Sequence, residues 1–532
     1  MSENPKKQSF LHGTALLAMA TAIVKVIGAL YKIPLNAIIG EQGFGYYSTA
    51  YEIYTLLLMI STAGLPVAMS RMIAQASSLG HYRQVRKIYV TARAIFLSLG
   101  LVGALLMTLF CRQLAQFQQQ PDAWAAIGAL GPCCFLICLM STYRGFFQGQ
   151  SNMMPTSVSQ VLEAISKLIV GIAGALLVTF YVKSVSLAAG AAIMGVTVSC
   201  LISSFYLNYC FRKAYREMPE SAEEVDSGKS IAKGLLAIAI PITIGSAGLQ
   251  LLTVLETRIY MSQLLKTLTQ QVADTQKGIY SMSLTIFNMP CAFITPITIS
   301  VIPALTSQLT LKDFKAAKET GEASARVAAL ISMPCAFGIA LLAQPIMQLL
   351  GGYSGEKLAL ATKLMSVLGV CIMFNTTVLL TNAIMQAHGH EKMPVVNMFI
   401  GGFLKLAAVF ILTGNPAIGI LGTPLGSLLC YMSITVLNLF AMRRLLTDPP
   451  AIVRNMLRAF GAAALMGAFA WGAWKGLTML LGDDLSPLIG CAVPVLVGVV
   501  VYLVAAVKFR VVTREDCLLL PKGEKIAKLL KL

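Results

Sequence analysis

Residues 486–507 read SPLIGCAVPVLVGVVVYLVAAV, with no Asp, Glu, Lys or Arg among them. An apolar helix of about 20 residues crosses the hydrocarbon core of a bilayer. The stretch is too long and too continuous for a barrel strand, which alternates polar and apolar residues over about ten positions. It predicts a transmembrane helix. Outward from it, similar runs bounded by Gly, Pro and charge clusters predict roughly fourteen spans, near 10–38, 46–74, 88–110, 124–147, 156–181, 186–210, 231–262, 279–304, 325–350, 358–387, 394–413, 418–442, 454–481 and 486–507. Ala18-Met-Ala20 has the look of a cleavage site, yet the apolar run continues past it. The first span therefore reads as a retained helix rather than a signal peptide.

The composition agrees. Of 532 residues, 57% are hydrophobic and 12% charged, and the mean hydropathy is +0.74. Soluble domains carry about 25% charged residues, so an ordinary soluble enzyme, a disordered chain and a dedicated nucleic-acid binder are excluded. The net charge of +18 is topological. Basic residues gather in alternate connections: Arg83, Arg86 and Lys87; Arg212, Lys213 and Arg216; Lys312, Lys315 and Lys318; Arg443 and Arg444; and the tail from Lys508. The positive-inside rule puts these connections and both termini in the cytoplasm. The other connections hold isolated cations such as Arg112, Lys183, Lys266, Lys277 and Lys357. The segment Glu524–Lys531 has the pattern of a surface amphipathic helix or of a frayed basic end. Cysteines lie mostly inside apolar runs with no CxxC pair, and His388-Gly-His390 lies in a short polar stretch. No metal, cofactor or catalytic residue is expected.

The two halves resemble each other. Gly64-Leu-Pro66 through Ser70 matches Val301-Ile-Pro303 through Ser307 at an offset of 237 residues. Phe147-Gln148, Pro155 and Lys167-Leu168 match Met385-Gln386, Pro394 and Lys405-Leu406 at about 238. A repeat of six helices, an even number, gives both copies the same membrane orientation. The expected fold is an all-α polytopic membrane protein. Two parallel six-helix lobes, 1–215 and 216–447, surround a central cavity, and 448–532 adds two helices and the basic tail.

Charges inside apolar spans cost about 2.5–3.5 kcal/mol each on insertion scales and need a reason. Lys25, Lys32, Arg71, Arg258 and Lys405 are the candidates for a cationic cavity that holds an anionic headgroup. Lys25 and Arg258 stand mid-helix in the leading helix of each lobe, where reaching the interface is hardest; Arg71 has snorkelling as its alternative. Pro34 is expected to kink or end the first helix. Glu52, Glu163, Lys167 and Glu256 are charge-pair or coupling candidates, with Glu163 and Lys167 in the favourable i, i+4 order. Arg144, Gln148 and Pro155 mark a turn in which Pro155 suits a helix start. There Arg144 either grips a phosphate or braces the loop.

Several of these stretches carry a family resemblance. Gln8-Ser-Phe-Leu-His-Gly13, Lys25-x-x-Gly28-x-x-Tyr31-Lys32-Ile-Pro34, Gly43-Phe-Gly45-Tyr-Tyr, Gly64-Leu-Pro66-x-Ala68-x-Ser70-Arg71 and Arg144-Gly-x-x-Gln148-Gly resemble the polysaccharide-transport proteins of Gram-positive bacteria. That group includes stage V sporulation protein B and MurJ-like lipid II flippases, within the multidrug/oligosaccharidyl-lipid/polysaccharide exporter superfamily. The resemblance covers nearly the whole chain. It implies a flippase in the bacterial cytoplasmic membrane that carries an undecaprenyl-pyrophosphate-linked oligosaccharide by alternating access. The substrate, the bilayer and cell-wall synthesis proteins would be its partners. Lys25 and Arg258, with Arg71, would hold the pyrophosphate, and the last two helices would border the polyprenyl tail. The departure is lysine where the well-studied branch has arginine in its first helix, a point charge in place of a bidentate fork. A cation-coupled drug exporter is the alternative, although the embedded bases outnumber the acids. A multi-span glycan polymerase or ligase is a weaker one, because the outer connections are short.

Overall fold

A computed structural model describes residues 10–219, 221–482, 485–509 and 511. The basic tail beyond 511, with its amphipathic stretch, lies outside the described residues, as do Lys6, Lys7, Asp483, Asp484 and the side chain of Lys25. Among the described residues every regular element is a helix. Among the described residues, twelve helices are long and apolar enough to cross a membrane. The chain is an all-α multi-pass membrane protein, and the expected count of fourteen spans is approximate.

The chain forms two compact units, one ending at Gly278 and one starting at Ile279. The first holds α1 (Phe10–Thr62), α2 (Leu65–Ser78), α3 (Tyr82–Leu109), the short α4 (Cys111–Phe117), α5 (Trp124–Gly149), α6 (Met154–Tyr181), α7 (Val185–Arg216) and α8 (Gly228–Leu264). It also holds the start of α9 (Gln270–Thr310), whose remainder opens the second unit. There follow α10 (Phe314–Leu341), the short α11 (Ala343–Gly351), α12 (Gly355–Ala387), α13 (Lys392–Thr413), α14 (Gly422–Leu445), α15 (Ile452–Leu481) and α16 (Pro487–Lys508).

The internal repeat has a packing counterpart. In unit 1, α5 packs on both α3 and α7, and α6 packs on α7. In unit 2, α12 packs on both α10 and α14, and α13 packs on α14. The short helices α4 and α11 fall at matching places. Helix α8, which the sequence repeat counts as the start of the second copy, packs on α1, α2 and α3, so unit 1 extends past it. Unit 2 adds α15 against α10, and α16 against α15. Ala325, Ala329, Ala459, Ala462 and Ala463 are fully buried between α10 and α15. Small residues let membrane helices approach closely where the hydrophobic effect no longer drives association.

Helix ends follow local chemistry. Ser184, Ser227, Asp313 and Ser486 each accept a backbone N–H of the first turn, at 3.0–3.4 Å. These bonds satisfy donors the helix cannot. Pro155 stands in the first turn of α6. Helix α1 does not end at Pro34 but runs through it, and its backbone leaves the helical conformation at Gly40, where φ is +71° and ψ 174°. Neighbouring groups can re-satisfy the backbone around a membrane-helix proline. A positive φ suits glycine because it has no Cβ. The first two predicted spans are therefore two helical segments joined by a single residue, with α2 following separately.

Candidate functional site

The second segment of α1 carries Phe44, Tyr47, Tyr51 and Tyr54 at spacings of three and four, which aligns them on one face. Phe44, Tyr47 and Tyr51 stack in sequence with centroids 5.9 Å apart, Tyr54 meets Tyr51 edge-on at 5.6 Å, and Tyr31 of the first segment joins Tyr47 at 6.2 Å. Lys167 from α6 enters this aromatic wall. Its Nζ lies 4.8 Å from the Tyr51 ring centroid, 5.4 Å from that of Tyr31 and 3.5 Å from the Tyr51 hydroxyl. The ring faces carry negative charge density and hold a cation that has lost part of its water. Lys32, on the first segment of α1, lies within Coulombic range of both Lys167 and Glu52. Two lysines thus share one half-buried region of unit 1.

Glu52 belongs to a second cluster, at the end of the unit that carries α4. Lys277 of α9, with no exposed side-chain surface, sets its Nζ 3.2 and 3.3 Å from the two Glu52 oxygens. Thr257 of α8 donates to the same carboxylate at 2.7 Å. One turn away on α9, Asp274 is fully buried and accepts from Tyr46 at 3.0 Å, Gln120 at 2.9 Å and Gln270 at 3.0 Å. Each group in this network is satisfied by its neighbours, as burial of charge requires. Backbone proximity makes it possible. A Cβ built on Gly278 would sit 1.7 Å from the Glu41 carbonyl oxygen, so glycine alone permits the approach of α9 to α1.

The other candidates from sequence are placed as follows. Glu163 pairs with Arg144 at 2.9 Å, and Arg144 Nε donates to Ser159 at 3.1 Å. That corrects the expected Glu163–Lys167 pair: the arginine across the α5–α6 turn reaches the carboxylate, and Lys167 goes to the tyrosines. With these bonds Arg144 braces the turn that contains Gln148. Arg258 stands near the end of α8, where its guanidinium donates to the Phe117 carbonyl and lies 4.4 Å from that ring's centroid. It is engaged by the last residue of α4. Arg71 is exposed on α2, and Glu256 is buried on α8. Lys405 lies on α13 in unit 2, within Coulombic range of Tyr431 and Cys371. Lys25 is in α1, with its side chain outside the described residues. Sequence reasoning placed Lys277 in an outer connection; it is instead a buried helical residue, because α1 covers it. Among the described residues, no group of three or more His, Cys, Asp or Glu is placed to hold a metal ion.

Comparison with known proteins matches this architecture. A family profile described as "Polysaccharide biosynthesis protein" matches residues 10–308, and one described as "MatE" matches 260–411. Stage V sporulation protein B of Bacillus subtilis (strain 168) is 23% identical over 522 residues, covering 97% of this chain and 98% of that protein. Lipid II flippase MurJ of the same organism is 24% identical over 413 residues, covering 74% and 76%. Among solved structures, one titled "Lipid II flippase MurJ, inward closed conformation" superposes with a TM-score of 0.69 at 13% identity, covering 93% of this chain and 99% of that one.

Proposed function

Since the chain belongs to the polysaccharide biosynthesis protein family, within the multidrug/oligosaccharidyl-lipid/polysaccharide exporter superfamily, we propose that it is a flippase for an undecaprenyl-pyrophosphate-linked oligosaccharide, with lipid II the substrate. It works in the bacterial cytoplasmic membrane with both termini in the cytoplasm, by alternating access and alongside cell-wall synthesis proteins. The observation that carries this reading is the Lys32–Lys167 region of unit 1, where two cations lie within Coulombic range of each other beside an aromatic wall. Two like charges repel in a low-dielectric setting. A diphosphate arriving between them relieves that repulsion. Lysine suits a group that must be released again, since it acts as a point charge without a fixed fork. Lys25, Arg71 and Lys405 are retained as further cations for the substrate's path. Arg258 is assigned to bracing the end of α4.

A cation-coupled drug exporter is the second reading, favoured by the MatE profile match. Such an exporter needs acids open to cations, whereas Glu52 is held by Lys277 and Thr257, and Glu163 by Arg144. Complementation in a bacterium depleted of its lipid II flippases separates the two. Rescue by the wild-type chain, lost in a Lys32→Ala/Lys167→Ala variant that still reaches the membrane, supports the flippase. Absence of rescue, with drug resistance on overexpression that disappears in a Glu52→Gln variant still reaching the membrane, supports the exporter.

A further inference from the structure

Unit 2 contains a cavity of about 360 Å³ at the end where α9 and α14 finish and α10 begins. Its floor is apolar, built from residues such as Leu305, Ile384 and Leu446. Its polar side is Lys318, His388 and His390, with Asp448 the acid. The cavity is built rather than accidental. Gly389, at φ +80°, turns the chain tightly between the two histidines. His388 Nδ1 lies 2.8 Å from the Ile384 carbonyl oxygen, so that nitrogen carries the proton; Nε2 of the neutral ring is an acceptor and offers a donor to an anion only when the ring is protonated. The connection after α14 touches α10 at two points: Lys318 bonds Asp448 at 2.6 Å, and the Ala451 N–H donates to Glu322 at 3.1 Å.

The geometry points to a binding site for the phosphate headgroup of an anionic phospholipid. The volume suits a headgroup and the first methylenes of its chains. Phe314 and Leu445, 60% and 39% exposed at the cavity, offer the chains an apolar way out into the bilayer. Lys312, Lys315, Arg443 and Arg444 sit in the same stretch of chain, at the foot of α10 and the last turn of α14. A basic pocket among helix ends at a membrane surface attracts anionic headgroups. Lys318 is not consumed by Asp448. Its side chain is 35% exposed and that of Asp448 59%, so the pair is a weak surface one, and an ammonium has three donors. The site uses none of the Lys32–Lys167 region and rests on the membrane placement of the fold, not on the transport cycle.

The test uses the purified full chain in detergent and native mass spectrometry, with dioctanoyl phosphatidylglycerol, dioctanoyl phosphatidylcholine and inorganic phosphate as probes. The wild-type chain is expected to hold phosphatidylglycerol at least fivefold more tightly than phosphatidylcholine. Lys318→Gln/His390→Gln removes that preference. Asp448→Asn, which frees Lys318 from its competing carboxylate, strengthens phosphatidylglycerol binding severalfold, a gain no folding defect would produce. Equal binding of the two lipids overturns the site, as does a preference that survives in the double variant or an Asp448→Asn variant that binds no better. Inorganic phosphate binding as tightly as the lipid would overturn its assignment to a lipid. No step reads transport, so failure here is distinct from failure of the flippase reading.

Discussion

A lysine ammonium with no exposed surface keeps its charge only where an acid and further hydrogen bonds compensate the lost water. Lys277 has both oxygens of Glu52 within 3.3 Å, and Glu52 has Thr257. Glu52→Gln leaves a buried ammonium facing an amide and is expected to cost about 3–5 kcal/mol. Glu52→Gln/Lys277→Met, which removes both charges, is expected to recover most of that loss. Denaturation of the purified variants in detergent checks both, and a double variant as unstable as Glu52→Gln alone would contradict a specific pair. Glu52 was legible from sequence as an embedded acid needing a partner, but the partner was not. Lys277 sits in a polar stretch that reads as a loop, and its burial depends on contacts 225 residues away along the chain. The i, i+4 spacing of Glu163 and Lys167 was a sound local argument. It lost to Arg144, which tertiary packing brings closer.

Helices were the most readable level, because span length and hydropathy are local properties. Joints were less so. Pro34 is the stronger helix breaker in a soluble setting, yet the helix passes through it and yields at Gly40. The close crossing of α1 and α9 leaves no sequence mark beyond one glycine among many. Gly278→Ala places a methyl where a carbonyl oxygen lies 1.7 Å away and is expected to abolish folded protein. Gly245→Ala, with nothing within 4 Å, is expected to express normally. Size-exclusion profiles of the two variants check the pair of outcomes. In unit 2, Asn438 donates to Thr381 and Asn382 at 2.8 Å and accepts from Asn397 at 2.8 Å, joining α12, α13 and α14. Asn438→Leu strands those groups in an apolar interior and is expected to cost about 1–3 kcal/mol. A melting temperature equal to wild type would contradict that role.

At the level of the whole molecule, the alternation of basic and sparsely charged connections carries the topology. Cysteine introduced in a cysteine-free background at Lys183 is expected to react with an impermeant thiol reagent added to intact cells, and cysteine at Thr447 only after lysis. The reverse pattern would invert the orientation. The repeat and its packing order in each unit fit a transporter of this family, and our proposal puts the anionic substrate at the Lys32–Lys167 region. The most direct measurement is flipping itself: the purified chain in vesicles containing a fluorescent undecaprenyl-diphosphate-linked sugar, with outer-leaflet label quenched over time. The prediction is lipid movement well above protein-free vesicles, reduced at least tenfold in Lys32→Ala/Lys167→Ala. Movement no faster than in protein-free vesicles, or a double variant as fast as wild type, would contradict it.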